Sequence, residues 1–248
     1  MIIVKAQNYD EISKKAASYI AAQVQLKPAC VLGLATGSTP CGTYQELIRY
    51  HREEGLSFQK VRTINLDEYY GLPATHEQSY SHFMRKNLFD HIDILAENTH
   101  VPDGLATNPN AFGREYDELI ASLGGIDMQL LGIGSNGHIA FNEPGNCFVA
   151  QTRLVDLNQN TIEDNARFFE SAEEVPRQAI SMGMKSILGA KRILILASGK
   201  GKADAVKGML EGSVDPLLPA SILQLHQNVT LIADLAALSQ TAESVLQS

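Results

Sequence analysis

The 248-residue chain contains no tryptophan, only three cysteines, and fewer basic than acidic residues. Its 20 Lys and Arg residues against 28 Asp and Glu residues give a net charge of −8, and the basic residues form neither a patch nor a tail. This balance argues against nucleic acid or an anionic membrane surface as the main partner. An anionic ligand would therefore need a local binding site.

The cysteines, Cys30, Cys41 and Cys147, form no CxxC pair and no disulfide framework, a pattern typical of a reducing compartment. The longest aliphatic stretch towards the C-terminus, residues 193–197, is far shorter than the roughly 20 residues that a membrane span needs. The first residues turn polar at once and lack the apolar region of a signal peptide. We therefore expect a cytoplasmic protein that does not bind membranes.

Short apolar runs alternate with amphipathic stretches along almost the whole chain. Strands are predicted at residues 31–35, 61–66, 128–133, 193–197 and 229–233, and helices at 12–24, 41–54, 80–91, 110–123 and 202–210. Runs that are apolar at consecutive positions are typical of a parallel sheet covered on both faces by helices. The order predicts an α/β fold with a doubly wound, mostly parallel, Rossmann-like sheet.

No linker, repeat or composition shift divides the chain, so we expect a single domain over residues 1–248. Only residues 156–176 interrupt the alternation, with a polar stretch that is rich in Asn and Glu. Such an insert in a compact fold is either a surface excursion or a lid over a site. Its composition alone favours the surface excursion.

The first candidate site is the loop of residues 33–40, GLATGSTP, between a predicted strand and a predicted helix. Gly37 allows a tight turn, Ser38 and Thr39 offer hydroxyl groups that can cap the helix, and Pro40 suits its first turn. Backbone N–H groups and the helix dipole at such a position bind anions. The loop matches neither a GxGxxG fingerprint nor a Walker loop. Phosphate binding and plain helix capping are therefore equally compatible with it.

The second candidate is residues 65–72, NLDEYYGL, where a predicted strand brings the adjacent carboxylates Asp67 and Glu68 to its carboxyl end. In open α/β sheets this edge is where ligands bind. A carboxylate there can move a proton on a bound substrate if its pKa is tuned. The alternative is a helix cap beside a surface acid, and the pair alone favours that alternative.

The third candidate, residues 130–145, is the most informative. An apolar strand runs into a glycine-punctuated loop that carries His138 and, five residues later, Glu143. Histidine titrates near neutrality, and a carboxylate partner fixes its tautomer and raises its basicity. The spacing is not that of an HExxH zinc site, so no metal site is expected. An exposed loop histidine with an unrelated Glu is the alternative, but the position at a strand end favours a functional pair.

The fourth candidate is residues 198–202, SGKGK, again between a strand and a helix. Lysine in a glycine-rich turn at a helix N-terminus suits phosphate capture, although a solvated loop is the alternative. The doubly wound sheet predicts that all four strand ends share one edge, which favours a common site.

Together these segments resemble the glucosamine-6-phosphate deaminase family, also called glucosamine-6-phosphate isomerase. The matching segments follow the family order along nearly the whole chain, and GHIAFNEP is highly specific. They are residues 34–40, 65–69, 137–144, 167–169, 219–221 and 223–226. The length is that of the short bacterial members.

The resemblance implies conversion of glucosamine 6-phosphate to fructose 6-phosphate and ammonia, in amino-sugar catabolism and without a cofactor. It assigns ring opening to His138, oriented by Glu143 with Asn136 beside them, and proton transfer between C2 and C1 to Asp67. The implied phosphate-binding residues are Thr36, Gly37, Ser38, Thr39, Arg167 and Lys202. Because Arg167 lies in the polar segment, the resemblance favours a lid at about 156–176.

Two departures from the family pattern affect these expectations. Many longer members have Asp where this chain has Asn136, and an amide can hydrogen-bond His138 but supplies no charge. Members regulated by N-acetylglucosamine 6-phosphate carry a basic residue where this chain has Val155, although Arg153 is retained. We therefore expect a monomer or small homo-oligomer that this effector does not activate.

Two rival functions remain open. A 6-phosphogluconolactonase-like hydrolase shares the fold and a phosphosugar site, but it needs no base at C2, so Asp67 fits it less well. A sugar-phosphate-sensing module, like the effector domains of some bacterial repressors, requires a DNA-binding helix-turn-helix that this chain does not provide.

Overall fold

A seven-stranded parallel sheet forms the centre of the protein. The computed structural model describes residues 1–166, 169, 171 and 174–246, except for the side chains of residues 160, 164 and 165. The strands of this sheet are β1 (Ile2–Ala6), β2 (Val31–Leu34), β3 (Arg62–Asn65), β5 (Thr99–His100), β6 (Met128–Gly132), β9 (Ile193–Ala197) and β10 (Val229–Asp234). They lie in the order β1-β10-β9-β6-β2-β3-β5, and every neighbouring pair is parallel. The predicted fold class is therefore confirmed.

Helices cover both faces of this sheet, as the consecutive apolar positions predict. They are α1 (Tyr9–Leu26), α2 (Cys41–Glu54), α3 (Tyr80–Asn87), α4 (Pro109–Ser122), α5 (Gln159–Ala166), α6 (Met184–Leu188), α7 (Ala203–Glu211) and α8 (Glu243–Leu246). Successive strand residues point to opposite faces: Leu130 and Leu194 pack with α1, α2 and α3, whereas Leu131 and Ile195 pack with α4, α6 and α7. Both faces are thus removed from water, which explains the absence of polar alternation.

A second, smaller sheet was not predicted from the sequence. It consists of β4 (Asp67–Tyr69), β7 (Arg153–Asp156) and β8 (Gln178–Ser181), in the antiparallel order β4-β8-β7. The chain passes from β3 to β4 through Leu66, whose N–H donates to Leu34 O at 3.3 Å and whose carbonyl accepts from the Met182 N–H at 2.7 Å. Asp67 therefore stands at the junction of the two sheets.

Several boundaries differ from the predicted ones. The helix expected at 80–91 ends at Asn87 and is followed by a 3₁₀ turn, Phe89–His91, and α7 begins after another 3₁₀ turn, Lys200–Lys202. The polar segment 156–176 includes α5, whereas Arg167 and Phe168 lie outside the described residues. Among the helices of the described part of the chain, none is long and apolar enough to cross a membrane.

Candidate active site

A cavity of about 700 Å³ opens at the carboxyl ends of β2, β3, β6 and β9. Most of its wall comes from segments at the ends of these four strands: residues 35–39, residues 66–67, residues 132–135 with His138, and Ser198, Gly201 and Lys202. The prediction that the four candidate segments share one edge is confirmed. This is the edge at which open α/β sheets bind ligands.

The loop after β2 forms one wall, through residues Thr36, Gly37, Ser38 and Thr39. Gly37 has φ of +90°, which residues with a side chain rarely adopt. Tyr9 braces the loop, because its hydroxyl donates to Ser38 O at 2.9 Å and accepts from the Gly42 N–H at 2.8 Å. The helix that follows has no side-chain cap. Pro40 occupies the N-cap position of that helix, and the geometry of the loop is compatible with an anion site.

The loop after β9 brings Lys202 to the same cavity. Asp234, at the end of β10, fixes the base of this loop by accepting hydrogen bonds from Ser198 Oγ at 2.6 Å and from the Gly199 N–H at 3.0 Å. The Asp234 carboxylate also accepts from the Ala237 N–H at 2.7 Å, so it joins two turns. A cation, hydroxyl groups and backbone N–H groups around one cavity suit a phosphate group.

Asp67 is the acid of the cavity. Only 6% of its surface is exposed, and it lines the cavity beside Leu66. Burial, and secondly the negative charge of Glu68, raise the pKa of Asp67 to about 8. A carboxyl group whose pKa lies near neutrality can both accept and return a proton.

The adjacent Glu68 has a different place. Its carboxylate accepts hydrogen bonds from the backbone N–H groups of Tyr69, Tyr80 and Ser81 at 2.9, 2.7 and 2.9 Å. Burial raises the pKa of Glu68, and these hydrogen bonds oppose the rise. Glu68 thus holds the start of α3 against β4, while Asp67 faces the cavity; both acids are buried, so neither is the surface acid of the alternative from the sequence.

Glu143, Asn136 and His138 form a chain of hydrogen bonds. Asn136 Nδ2 donates to Glu143 Oε2 at 2.9 Å, and Asn136 Oδ1 lies 2.7 Å from His138 Nδ1. An ionised carboxylate only accepts, so the amide must turn its NH₂ group to Glu143 and its oxygen to His138. Nδ1 therefore carries the hydrogen, and Nε2 is the proton acceptor of the neutral ring. An ionised Asp at 136 could accept from His138 but could not donate to Glu143.

Of these three hydrogen-bonded residues, only His138 lies in the cavity wall. Nδ1 of His138 is 3.5 Å from Glu143 Oε2, so the ring also senses the carboxylate charge. Gly134 permits this ring position, because a Cβ there would lie 2.3 Å from His138 Nδ1. Asn136 and Glu143 act on the cavity through the imidazole.

Glu143 is held in its ionised form. Burial opposes ionisation, but the adjacent His138 ring and the donors Thr161 and Asn136 outweigh it and lower the pKa of Glu143 to about 2. Thr161 Oγ1 donates to Glu143 Oε1, and Asn158 Nδ2 donates to Oε2 at 3.2 Å. Both donors belong to the start of α5, within the segment that interrupts the sequence pattern.

Sequence reasoning missed three residues that line the cavity: Tyr9, Tyr80 and Thr161. Burial raises the pKa of the Tyr80 hydroxyl well above its usual value. Its ring stacks on Phe141 with centroids 6.0 Å apart. None of these residues lies in a glycine-rich motif. Only the spacing of Asn158 and Thr161, typical of a helix start, gave any signal.

One predicted phosphate ligand, Arg167, lies outside the described residues. The described residues include no group of three or more His, Cys, Asp or Glu side chains that could hold a metal ion. The polar groups that line the cavity are instead hydroxyls, a carboxyl group, an imidazole and a lysine.

Comparison with known proteins identifies relatives of the whole chain. Residues 5–232 match the family "Glucosamine-6-phosphate isomerases/6-phosphogluconolactonase". A glucosamine-6-phosphate deaminase from Clostridium botulinum is 53% identical over 240 residues, which cover 97% of this chain and 98% of that protein. The solved structure of a monomeric glucosamine-6-phosphate deaminase has a TM-score of 0.95 and 48% identity, covering 97% of this chain and 100% of that one. The 6-phosphogluconolactonase from Trypanosoma brucei has a TM-score of 0.74 with 21% identity and covers 97% and 98% of the two chains, a likeness of fold alone.

Proposed function

Because the chain belongs to the family of glucosamine-6-phosphate isomerases and 6-phosphogluconolactonases, we propose that it converts glucosamine 6-phosphate and water to fructose 6-phosphate and ammonia, in amino-sugar catabolism. One observation carries the choice within the family: a buried acid, Asp67, shares a single cavity with His138. Isomerisation requires a base at C2, which the carboxylate of Asp67 can supply, whereas lactone hydrolysis does not.

The phosphate group is proposed to lie between the 36–39 loop and Lys202, with Arg167 as a further ligand. The backbone N–H groups and hydroxyls of the loop and the lysine charge are complementary to a phosphate dianion. Binding at this end supplies energy that positions C1 and C2 of the sugar against Asp67 and His138.

His138 is proposed to open the sugar ring. Its Nε2 takes the proton of the anomeric hydroxyl group while the bond from C1 to the ring oxygen breaks, and the proton then passes to that oxygen. The Asn136 contact supports this role, because it fixes the tautomer in which Nε2 accepts.

Asp67 is proposed to move a proton from C2 to C1 of the open-chain aldose. The substrate's ammonium group at C2 favours the ionised carboxylate, which offsets the pKa of about 8 that burial and Glu68 impose on Asp67. Loss of the C2 proton to Asp67, with transfer of one ammonium proton to the aldehyde oxygen, gives an enol-type intermediate with an amino group at C2; its protonation at C1 gives an iminium group at C2. Water then adds at C2, and the amine leaves as ammonia.

We further propose that residues 156–176 act as a lid within a single domain. Two contacts of α5 support this: Thr161 lines the cavity, and both Asn158 and Thr161 bind Glu143. A cover that excludes water would protect the enol-type intermediate. The location is proposed to be the cytoplasm.

The decisive experiment measures ammonia release from glucosamine 6-phosphate beside hydrolysis of 6-phosphogluconolactone. For Asp67→Asn we expect kcat of deamination to fall by a factor of roughly 100 or more, the scale of general acid–base catalysis, while the substrate still binds in a direct titration. Asp90→Asn, which changes an exposed acid outside the cavity, is the matched control.

Lactone hydrolysis without ammonia release by the wild-type protein would overturn the proposed function. Near-wild-type deamination by the Asp67→Asn variant would instead remove Asp67 from the mechanism and leave the overall reaction standing.

A further inference from the structure

Thr161 connects two parts of the site that are far apart in sequence. It lies in the first turn of α5, only 3% of its surface is exposed, and it lines the cavity. Its hydroxyl donates to Glu143 Oε1, the carboxylate oxygen that faces away from Asn136. Glu143 Oε2 takes the hydrogen bonds of Asn136 and Asn158.

From this arrangement we infer that Thr161 is a positioning residue for His138, acting through Glu143 and Asn136. The inference deepens the proposed function and rests on it, since it concerns the base that opens the sugar ring.

The physical reason is the direction of the hydrogen bonds that run from Thr161 through Glu143 and Asn136 to His138. A carboxylate held at one oxygen can rotate, whereas donors at both oxygens fix its plane and its distance from the Asn136 amide. The amide in turn fixes the hydrogen on His138 Nδ1. Hydrogen bonds to an ionised group are short and strong, so loss of the Thr161 donor would loosen every later link.

The contact also makes the orientation of the base, His138, depend on the position of α5. Two donors to Glu143, from Asn158 and Thr161, stand at the start of this helix. The apolar side of α5 packs on the small sheet through Ile162, in one cluster with Tyr69 and Phe141. His138 therefore has its full set of supports only when α5 is seated against the cavity.

Three variants test the hydroxyl of residue 161. Thr161→Val keeps the shape of the side chain and removes the hydroxyl donor. Thr161→Ala removes both the hydroxyl and the methyl group, and Thr161→Ser keeps the hydroxyl donor. The matched control is Thr63→Val, because Thr63 is buried in β3 and its hydroxyl has no partner among the described residues.

We expect kcat for deamination to fall roughly tenfold in Thr161→Val and Thr161→Ala, the scale of one hydrogen bond to a charged group, with KM changed less than twofold. Thr161→Ser should restore at least half of kcat, and Thr63→Val should match the wild type. A change in KM with kcat unchanged would overturn the positioning role. So would a Thr161→Ser variant in which kcat is not restored.

A second readout does not depend on turnover. Nitrogen-15 NMR of the seven histidines, assigned for His138 by comparison with His138→Gln, reports which ring nitrogen carries the hydrogen. The wild type and Thr161→Ser should show Nδ1–H, and Thr161→Val should show a mixture of tautomers. An unchanged tautomer in Thr161→Val would overturn the inference even if the enzyme deaminates normally, whereas an inactive wild type would count against the proposed function alone.

Discussion

Asp67 is the residue at which folding and chemistry oppose each other. Removing a carboxylate from water disfavours its charge, and the neighbouring Glu68 adds repulsion. The pKa of Asp67 in the folded protein is about 8, whereas an unfolded Asp titrates near roughly 4. The charged form that the reaction needs is thus the form that the fold disfavours.

This conflict predicts the pH dependence of stability. Because the folded pKa is raised, the contribution of protonated Asp67 to the free energy of unfolding is full below about pH 4 and is lost as the pH rises towards 8. Asparagine has no such titration. We therefore expect Asp67→Asn to have a larger free energy of unfolding than the wild type. The difference should grow between these pH values to a few kcal/mol, the scale that the raised pKa of Asp67 implies.

Urea unfolding at several pH values between 4.5 and 9 measures this difference. Asp90→Asn, which removes an exposed carboxylate, should show the same dependence of unfolding free energy on pH as the wild type. A constant gap between Asp67→Asn and the wild type at every pH would contradict the raised pKa.

Residue-level assignments differ in how far the sequence could reach. His138 and Glu143 could be paired from their spacing in a glycine-rich loop at a strand end. The role of Asn136 as the bridge between them could not, because it depends on which way the amide turns. The spacing of Asn158 and Thr161 indicates a helix start, but the contact of Thr161 with Glu143 could not be found, since only the packing of α5 brings the two together.

At the scale of elements, the loop between β9 and α7 separates two lysines that charge and position in a glycine-rich turn do not distinguish. Lys202 lines the cavity, whereas Lys200, in the same turn, is exposed and does not. Asp234 holds the base of the loop, so the position of Lys202 follows from backbone and side-chain contacts rather than from charge alone.

For Lys202→Ala we expect a KM for glucosamine 6-phosphate that is raised roughly tenfold or more, because a charged partner of the phosphate is lost. Inhibition by inorganic phosphate should weaken in parallel. Lys200→Ala is the control and should behave as the wild type. If unphosphorylated glucosamine lost activity to the same degree, Lys202 would serve the fold or the chemistry instead of the phosphate.

Elements also differ in predictability. The long apolar strands β6 and β9 and the helix faces of α1 follow from periodicity, because burial on both faces leaves a strong pattern. The strand β4 has only three residues, two of them acidic, so its apolar contribution is too small to be recognised. The small sheet was missed for this reason, although it positions Asp67.

At the scale of the whole molecule, the retained Arg153 is engaged within its own chain. Its Nη1 donates to Asn142 Oδ1 at 3.2 Å, one residue from Glu143. Val155, two residues along, is apolar, so Arg153 has no cationic neighbour at that position, and a lone charge near water is screened by salt.

We therefore expect a monomer or small homo-oligomer with a hyperbolic dependence of rate on substrate concentration. Light scattering gives the mass in solution, and rates with and without N-acetylglucosamine 6-phosphate test regulation. A sigmoidal curve that this compound makes hyperbolic would contradict the expectation.

The strand order has a consequence for synthesis on the ribosome. β1 pairs with β10, with Ile3 opposite Leu231, and β10 alone connects it to the rest of the sheet. Residues 2–6 must therefore wait for residues 229–234 to emerge, while β2, β3, β5 and β6 can already assemble. Such distant pairing slows folding and leaves apolar strand edges open to wrong partners meanwhile. During translation, β1 is thus made long before β10 but is among the last strands of this sheet to be placed.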